Sequence, residues 1–207
     1  MLDAIEGFIL AGGNSRRMGT DKSRLILNGQ SFVERIAGEL SAVTSSIRLV
    51  GSDLPSAPLK INLQSAPDVY PRWGALGGLH AALAACSASW ALIVACDLPF
   101  VTAELFTRLA GFRENNEAVA PIQKDAIPQP LCSLYRVDHC LRSAEQLIKS
   151  GERKPIALLQ SVRTRWVSFS ELSDLERAVN FFDNINTPED FARVSRKGFS
   201  TDDVAMG

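Results

Sequence analysis

The residues with the clearest chemical potential follow a short apolar segment near the start of the chain. After residues 5–10, three glycines, two arginines and a lysine occur within residues 11–22. Because glycine has no side chain, its backbone can approach a ligand closely, and N–H groups in such turns form concave anion sites. Arginine and lysine add charge-assisted hydrogen bonds to phosphate oxygens. The pattern predicts a loop that binds a nucleoside triphosphate.

This loop matches neither of the two common phosphate-binding patterns. A P-loop needs Gly-x-x-x-x-Gly-Lys-Ser/Thr, but five residues separate Gly13 from Gly19, and Thr20-Asp21 stands between Gly19 and Lys22. The Gly-x-Gly-x-x-Gly pattern of dinucleotide-binding folds is absent as well. The alternative interpretation is a tight turn between a strand and a helix, with solvated arginines.

A carboxylate follows a second apolar segment. Residues 90–95 form a continuous apolar run, as expected for a central parallel strand, and Asp97 and Pro99 come soon after it. Mg²⁺ is usually held by one or two carboxylates together with phosphate oxygens and water. The position of Asp97 therefore predicts a Mg²⁺ ligand that faces the phosphate-binding loop. The alternative is that Asp97 only caps the helix predicted to begin near Thr102.

A third segment, residues 67–79, is too rich in glycine and proline for regular structure. It leads into a helix N-terminus at Gly77-Gly78, which can itself hold an anion, and a loop of this length usually has a function. Asp68, near its start, is a candidate acceptor of hydrogen bonds from a base or a ribose. A structural turn is the competing interpretation.

Three weaker patterns stay open between two interpretations each. Gln129-Pro130 begins a predicted strand and either lines an acceptor pocket or is explained by an edge-strand proline. Arg153 and Lys154 share a loop that either meets an acidic substrate or is only solvated. The asparagines of residues 184–190 either turn the chain beneath the site or cap a helix.

Strand-like and helix-like segments alternate along the chain, which predicts an α/β fold with a mostly parallel sheet and helices on both faces. Ligands of such sheets bind at the carboxyl ends of the strands, where the glycine-rich loop and Asp97 fall. We expect one domain over residues 1–198 and a polar tail over 199–207. The predicted strands cover residues 5–10, 47–50, 61–63, 90–95, 118–121, 131–135 and 163–169, and the predicted helices cover 31–43, 77–86, 102–110, 137–149, 156–160 and a last one from 187.

Composition disfavours several classes of protein. The 22 basic and 23 acidic residues give a net charge of −1, which disfavours general nucleic-acid binding. No apolar run approaches the roughly 20 residues of a membrane helix, and no signal peptide fits before residue 5, so we expect a cytoplasmic protein with no membrane partner. The four cysteines form no Cys-x-x-Cys pair, which favours buried thiols in a reducing compartment. The two histidines lack metal-ligand spacing, which disfavours zinc.

Together these segments resemble the MobA-like nucleotidyltransferases, and among them the guanylyltransferases that act on the molybdenum cofactor. The resemblance spans roughly residues 5–195. Its most specific motif is Leu-Ala-Gly-Gly-x-Ser-x-Arg-Met-Gly-x-Asp-Lys at residues 10–22. The supporting matches are Asp68, Gly74-Ala75-Leu76-Gly77-Gly78, Cys96-Asp97-x-Pro99-Phe100, Gln129-Pro130 and Asn184-Ile185-Asn186-Thr187-Pro188-Glu189.

The resemblance implies a Rossmann-like nucleotidyltransferase fold and transfer of GMP from Mg-GTP to molybdenum–molybdopterin, with release of pyrophosphate. Asp68 would contact the nucleoside, Lys22 would bind the triphosphate and Asp97 would hold Mg²⁺. Arg17, Lys22 and Asp97 form the expected catalytic set. GTP and molybdenum–molybdopterin would be the substrates, with transient contact to other molybdenum cofactor proteins. The backbone would hold guanine and ribose at Leu10, Ala11, Gly12 and Gly13.

The choice of base follows from small differences within the motifs. Related cytidylyltransferases have Leu-Ala-Ala-Gly and Gly-Asp-x-Pro, so Gly12 and Cys96 favour guanine here. Gly51 stands where the guanylyltransferases often have asparagine, so that base contact is either missing or supplied by Ser52 or Asp53. Two alternatives remain: a relative that uses CTP or a sugar-phosphate acceptor, and a non-catalytic GTP-binding assembly partner.

Overall fold

The computed structural model describes residues 4–11, 26–27, 29–51, 63–185 and 190. Its seven-stranded sheet has the strand order β5-β4-β1-β6-β8-β7-β9, and β2 and β3 form a separate two-stranded ribbon. The strands are β1 (Ile5–Leu10), β2 (Ile26–Leu27), β3 (Gln30–Ser31), β4 (Ile47–Val50), β5 (Gln64–Ala66), β6 (Trp90–Ala95), β7 (Ala118–Pro121), β8 (Cys132–Arg136) and β9 (Thr164–Val167). The α-helices are α1 (Phe32–Ser41), α2 (Ala75–Ala85), α3 (Ala103–Gly111), α4 (Val137–Lys149) and α5 (Ile156–Ser161).

The strand directions confirm the predicted, mostly parallel sheet. The neighbours β5, β4, β1 and β6 all run parallel, as do β7 and β9. β8 alone runs antiparallel to both of its neighbours, β6 and β7. The carboxyl ends of β1, β4, β5, β6, β7 and β9 therefore share one edge of the sheet, which we call the carboxyl edge.

Both faces of the sheet are buried, which explains the continuous apolar runs of β1 and β6. Ile9 of β1 and Val94 of β6 face a core that also contains Ile36 of α1 and Phe106 of α3. The alternating residues face the opposite core, where α2, α4 and α5 pack. Helices thus cover both faces, as the sequence predicts.

The predicted helix caps are present. The Ser31 backbone N–H donates to Glu34 Oε2 at 2.9 Å, and the Glu34 N–H donates to Ser31 Oγ at 3.2 Å, which completes the capping box of α1. Thr102 Oγ1 accepts from the Leu105 N–H at 3.3 Å and caps α3. Gly151 follows α4 with a φ of +89°, in the left-handed region that favours glycine after a helix.

Three predicted strands differ from those of the structure, and the one expected over 131–135 is β8, shifted by one residue to Cys132–Arg136. Of the strand expected at residues 61–63, only Leu63 lies within the described residues, and it is outside β5, which begins at Gln64. Within the described part of the chain β5 is an edge strand that pairs with β4 and exposes Gln64 and Ser65, so an apolar pattern does not mark it. The strand expected over 163–169 stops at Val167, because the 3-10 turn Phe169–Glu171 follows, capped by Ser168. The helix predicted from residue 187 and the predicted tail fall in a region of which only Asp190 is described.

The four cysteines are free thiols, as predicted. Cys96, Cys132 and Cys140 are buried, whereas Cys86 is only half-buried, because it follows the last turn of α2. Burial raises the pKa of the Cys132 thiol to about 12, so it is protonated and unreactive at neutral pH. Among the described residues, no helix is both long and apolar enough to span a bilayer.

Candidate active site

The carboxyl edge brings the ends of β1 and β6 side by side. Leu10 pairs with Ala95 in the parallel ladder, and the Cys96 N–H donates to the Leu10 carbonyl at 3.0 Å. The Ala11 N–H donates to the Val50 carbonyl of β4 at 2.9 Å. Predicted site residues Leu10 and Ala11 therefore lie one strand away from Asp97. Gly12, Gly13, Arg17 and Lys22 lie outside the described residues.

Asp97 is half-buried at the end of β6. Its backbone carbonyl accepts from the Ile185 N–H at 3.1 Å, which brings the segment before residue 186 to this edge. The cap of α3 is Thr102, not Asp97. The interpretation of Asp97 as a mere helix cap is therefore wrong, because the cap position five residues later is already filled.

The arrangement around Asp97 suits a metal that arrives with its substrate. In the described part of the chain, no group of three or more His, Cys, Asp or Glu side chains is placed to hold a metal ion. Asp97 offers hard carboxylate oxygens at the edge where a triphosphate would supply further oxygens. A single carboxylate at this edge therefore fits Mg²⁺ shared with a nucleotide.

Asp68 lies at the same edge of the sheet as Asp97 but several strands away from it. It follows β5, which is three strand positions from β6, so the two carboxylates are on the order of 14 Å apart along the edge. The Asp68 side chain is exposed, and its Oδ1 accepts from the Tyr70 N–H at 3.1 Å. A nucleotide that touches both residues would have its nucleoside near Asp68 and its phosphates near Asp97.

The loop that carries Asp68, residues 67–74, packs closely on α2; we call it the nucleoside loop. A Cβ at Gly77 would lie 2.8 Å from Trp73 Cβ and 3.1 Å from the Tyr70 carbonyl, so only glycine lets this loop approach the helix. A Cβ at Gly78 would lie 3.7 Å from Leu10 Cδ1, which places the first turn of α2 beside the end of β1. The helix begins at Ala75, two residues before the predicted start.

His80 of α2 is buried, and no motif in the sequence gives it a role. Its ring is 3% exposed, and neither ring nitrogen has a hydrogen-bond partner among the described residues. Tyr70 of the nucleoside loop packs edge-on against it, with ring centroids 4.8 Å apart. Burial lowers the pKa of His80, while Glu145 of α4, 3.7 Å away, opposes that shift. His80 is thus a neutral packing partner for the nucleoside loop near pH 7.

The backbone conformation explains why a glycine can stand at position 51, which the sequence alone does not reveal. It follows β4 with a φ of +81°. Glycine adopts this left-handed conformation without strain, and asparagine is among the few other residues that tolerate it. Gly51 here and an asparagine in the related guanylyltransferases can therefore adopt the same backbone conformation. Ser52 and Asp53 are outside the described residues.

Gln129 and Pro130 also reach the carboxyl edge, in the loop between β7 and β8. The Gln129 carbonyl accepts from Ser133 Oγ at 2.7 Å, and the Pro130 carbonyl accepts from the Tyr135 hydroxyl at 2.7 Å. These two hydrogen bonds connect the loop to residues of β8. This position is compatible with both an acceptor pocket and a purely structural proline.

Comparisons with known proteins agree with this geometry. The MobA-like NTP transferase domain matches residues 7–165. A probable molybdenum cofactor guanylyltransferase of Pelotomaculum thermopropionicum is 33% identical over 188 residues, 91% of this chain and 90% of the relative. A molybdenum cofactor guanylyltransferase of Desulfosudis oleivorans is 31% identical over 195 residues, 93% and 95% of the two chains.

Solved structures show the same fold. Molybdopterin-guanine dinucleotide biosynthesis protein A of Archaeoglobus fulgidus superposes with a TM-score of 0.77 at 26% identity, over 93% of this chain and 97% of that one. The 2-C-methyl-D-erythritol 4-phosphate cytidylyltransferase of Thermus thermophilus gives a TM-score of 0.68 over 92% and 96% of the chains; at 13% identity, it supports the fold alone. With the family domain matched over most of its length, this chain belongs to the MobA-like NTP transferases and is a nucleotidyltransferase.

Proposed function

We propose that this protein transfers GMP from Mg-GTP to the molybdenum–molybdopterin cofactor and forms the guanine dinucleotide cofactor and pyrophosphate. The observation that carries the proposal is the shared carboxyl edge, where Ala11, Asp97 and Asp68 follow strands that run in one direction. Relatives named molybdenum cofactor guanylyltransferase cover nine-tenths of the chain and support the same acceptor and nucleotide.

The order of strands suggests how GTP lies on this edge. Asp68 accepts hydrogen bonds from the nucleoside at the β5 side, and the backbone of residues 10–13 holds guanine and ribose above β1. Lys22 and Arg17 bind the triphosphate through charge-assisted hydrogen bonds, which are strong because both partners are charged. Asp97 holds Mg²⁺, whose charge would offset that of the phosphate oxygens.

The transfer itself needs positioning and charge stabilisation more than proton chemistry. A terminal phosphate oxygen of the acceptor attacks the α-phosphorus of GTP in line, the bond from the α-phosphorus to its bridging oxygen breaks, and pyrophosphate leaves. The attacking oxygen is already anionic at neutral pH, so no general base is required. Arg17 and Lys22 stabilise the charge that develops on the pyrophosphate.

The cysteines suggest where the reaction takes place. Free, largely buried thiols suit a reducing compartment, so we place the activity in the cytoplasm, where molybdenum–molybdopterin would be delivered by transient contact with other cofactor proteins.

A pyrophosphate-release assay tests the proposal. The protein is incubated with Mg²⁺ and either GTP, CTP, ATP or UTP, with and without molybdenum–molybdopterin. We expect release only with GTP and acceptor together, and none after EDTA treatment. Release with CTP would support the cytidylyl alternative. Binding of Mg-GTP without release in the presence of acceptor would support a non-catalytic assembly partner.

A further inference from the structure

The nucleoside loop contacts a second loop, which lies about eighty positions further along the chain. This second loop, residues 150–155, joins α4 to α5; we call it the clamp loop. The Arg153 guanidinium stacks over the Trp73 ring, 4.4 Å from its centroid. Trp73 Nε1 donates to the Glu152 carbonyl at 2.9 Å, and Arg153 Nη1 donates to the Arg72 carbonyl at 3.3 Å.

The topology explains why these two loops meet. β5 runs toward the carboxyl edge, so the nucleoside loop and the start of α2 lie there. β8 runs the opposite way, so α4 begins at the other edge and returns to end at the carboxyl edge. Because α2 and α4 pack side by side on one face, the clamp loop ends beside the nucleoside loop.

The clamp loop is itself organised before it makes these contacts. Glu152 Oε1 accepts from the backbone N–H groups of Arg153 and Lys154, each at 2.8 Å. These two bonds fix the turn that presents the Arg153 side chain and the Glu152 carbonyl to Trp73. Arg153, predicted either to meet an acidic substrate or to be solvated, contacts Trp73 and the Arg72 carbonyl in the structure.

The contacts fall where the nucleoside loop is strained. Arg72 has a φ of +66°, in the left-handed region that costs a non-glycine residue free energy. Its carbonyl is the acceptor for Arg153, and the next residue, Trp73, is the one that Arg153 and Glu152 hold. Without these contacts, the unstrained conformation of Arg72 would compete and move the loop that carries Asp68.

We infer that Trp73, Glu152 and Arg153 are positioning residues that hold the nucleoside loop in its binding conformation. The inference rests on the proposed function, because it assumes that Asp68 contacts the nucleoside of GTP. The clamp acts on the affinity for the nucleotide and not on the chemical step, because it holds the loop of Asp68, which follows β5, three strand positions from the end of β6 that carries Asp97.

Four variants test the inference: Trp73→Leu, Trp73→Phe, Arg153→Met and, as a control for the charge, Arg142→Met on the exposed surface of α4. Trp73→Leu and Arg153→Met should weaken Mg-GTP binding about five- to tenfold by calorimetry, given the strength of exposed cation–π contacts and one lost hydrogen bond. Trp73→Phe keeps a ring for Arg153 and should lose about half of that effect on a logarithmic scale. Arg142→Met should bind GTP like the wild type.

Steady-state kinetics separates positioning from catalysis. In the clamp variants, KM for GTP should rise while kcat and KM for the acceptor stay within about twofold. Hydrogen exchange over residues 67–78 should accelerate, with thermal unfolding within a few degrees of the wild type. In an Asp68→Ala background, Trp73→Leu should have little further effect on GTP binding, because the contact that the clamp positions is gone.

Several outcomes would overturn the inference. A raised acceptor KM in Arg153→Met alone, with Trp73→Leu normal, would make Arg153 an acceptor ligand. Full additivity of Trp73→Leu and Asp68→Ala, or unchanged GTP affinity in both clamp variants, would remove the positioning role. Wild-type protein that binds no GTP would instead refute the proposed function, so the two failures are distinguishable.

Discussion

At the scale of single residues, the position of Asp97 is set by β6, the strand that precedes it. β6 is buried along its whole length between β1 and β8, so its carboxyl end is held by ladders on both sides. A carboxylate there follows a strand that is paired on both sides, and the Ala11 N–H, at the end of the neighbouring β1, donates to the Val50 carbonyl of β4. A rigid base of this kind favours preorganised binding of charged phosphates, which is where most acceleration in phosphoryl-type transfer originates.

Replacement of Asp97 tests its proposed role as the Mg²⁺ ligand. Asp97→Asn keeps the shape of the side chain but removes the charge that a Mg²⁺ ion needs. We expect Mg²⁺-dependent pyrophosphate release to fall by at least about 100-fold, with circular dichroism and thermal unfolding close to wild type. An Asp97→Asn protein that turns over at the wild-type rate would remove Asp97 from the mechanism.

At the scale of elements, the fit between α2 and the nucleoside loop depends on the missing side chain of Gly77. Gly77→Ala would place a Cβ against Trp73 and the Tyr70 carbonyl, so the loop must shift. Overpacking of this kind costs about 1–3 kcal/mol, and we expect it to weaken GTP binding as well. Urea unfolding and calorimetry measure the two effects.

A matched glycine provides the control for Gly77→Ala. Gly38 lies in α1, is exposed, and has no heavy atom within 4 Å of a built Cβ. Gly38→Ala should therefore stabilise the fold by up to about 1 kcal/mol through helix propensity, with GTP binding unchanged. Equal effects of the two substitutions would contradict the close docking of the nucleoside loop on α2.

The 3-10 turn after β9 gives a pH-dependent contribution to stability. The Ser168 hydroxyl donates to Glu171 Oε2 at 2.8 Å and the Ser168 backbone N–H donates to it at 3.0 Å. These bonds, with Arg165 nearby, hold the pKa of Glu171 below its usual value. Because the folded-state pKa is lowered, the stabilisation is present above the ordinary glutamate pKa of about 4.3 and is lost as the pH falls through the lower folded-state value.

Thermal unfolding between pH 6 and 3 measures this contribution. Glu171→Gln should unfold at a lower temperature than the wild type at pH 6, and the difference should shrink as the pH falls below about 4. Glu114→Gln, on the exposed surface, controls for the loss of one negative charge. A constant difference across the pH range would show that the ionised form of Glu171 does not stabilise the turn.

At the scale of the whole molecule, one sheet edge collects segments from both halves of the chain. The ends of β1, β4, β5 and β6 meet there, and β7 brings the loop of Gln129 and Pro130 to the other side of Asp97. If the proposed nucleotide binds on the β5 side of this edge, the β7 side is left for the acceptor, with Asp97 between them. Such an arrangement supports an in-line transfer between two large anionic substrates.

A ligand that spans this edge should stabilise the whole domain. At a GTP concentration about 100-fold above its Kd, linkage predicts about 2.7 kcal/mol of added stability, or a rise in Tm of roughly 5–10 °C for a chain of this size. Mg-GTP should give this rise, whereas Mg-CTP at the same concentration should give little. An equal rise with CTP would contradict the predicted preference for guanine.

Local patterns in the sequence suffice to predict most of the described helices and strands. Apolar runs predict β1 and β6, and a helical segment ended by Gly151 predicts α4, all with their observed bounds. Ser31 and Thr102 mark the starts of their helices because a cap needs only residues three positions away. The same local reading fails for β5, whose exposed polar residues form a strand only because β4 offers a partner.

Contacts between distant residues are decided by the tertiary structure alone. The sequence by itself determines that Ala11 and Asp97 follow buried strands, but the neighbouring positions of β1 and β6 and the reversed direction of β8 depend on how the whole sheet packs. Arg153 stacks on Trp73 because α4 returns to the carboxyl edge. The sequence around either residue does not predict this contact. Hydrogen bonds to near neighbours follow local sequence, whereas contacts across the sheet follow the arrangement that buries both faces.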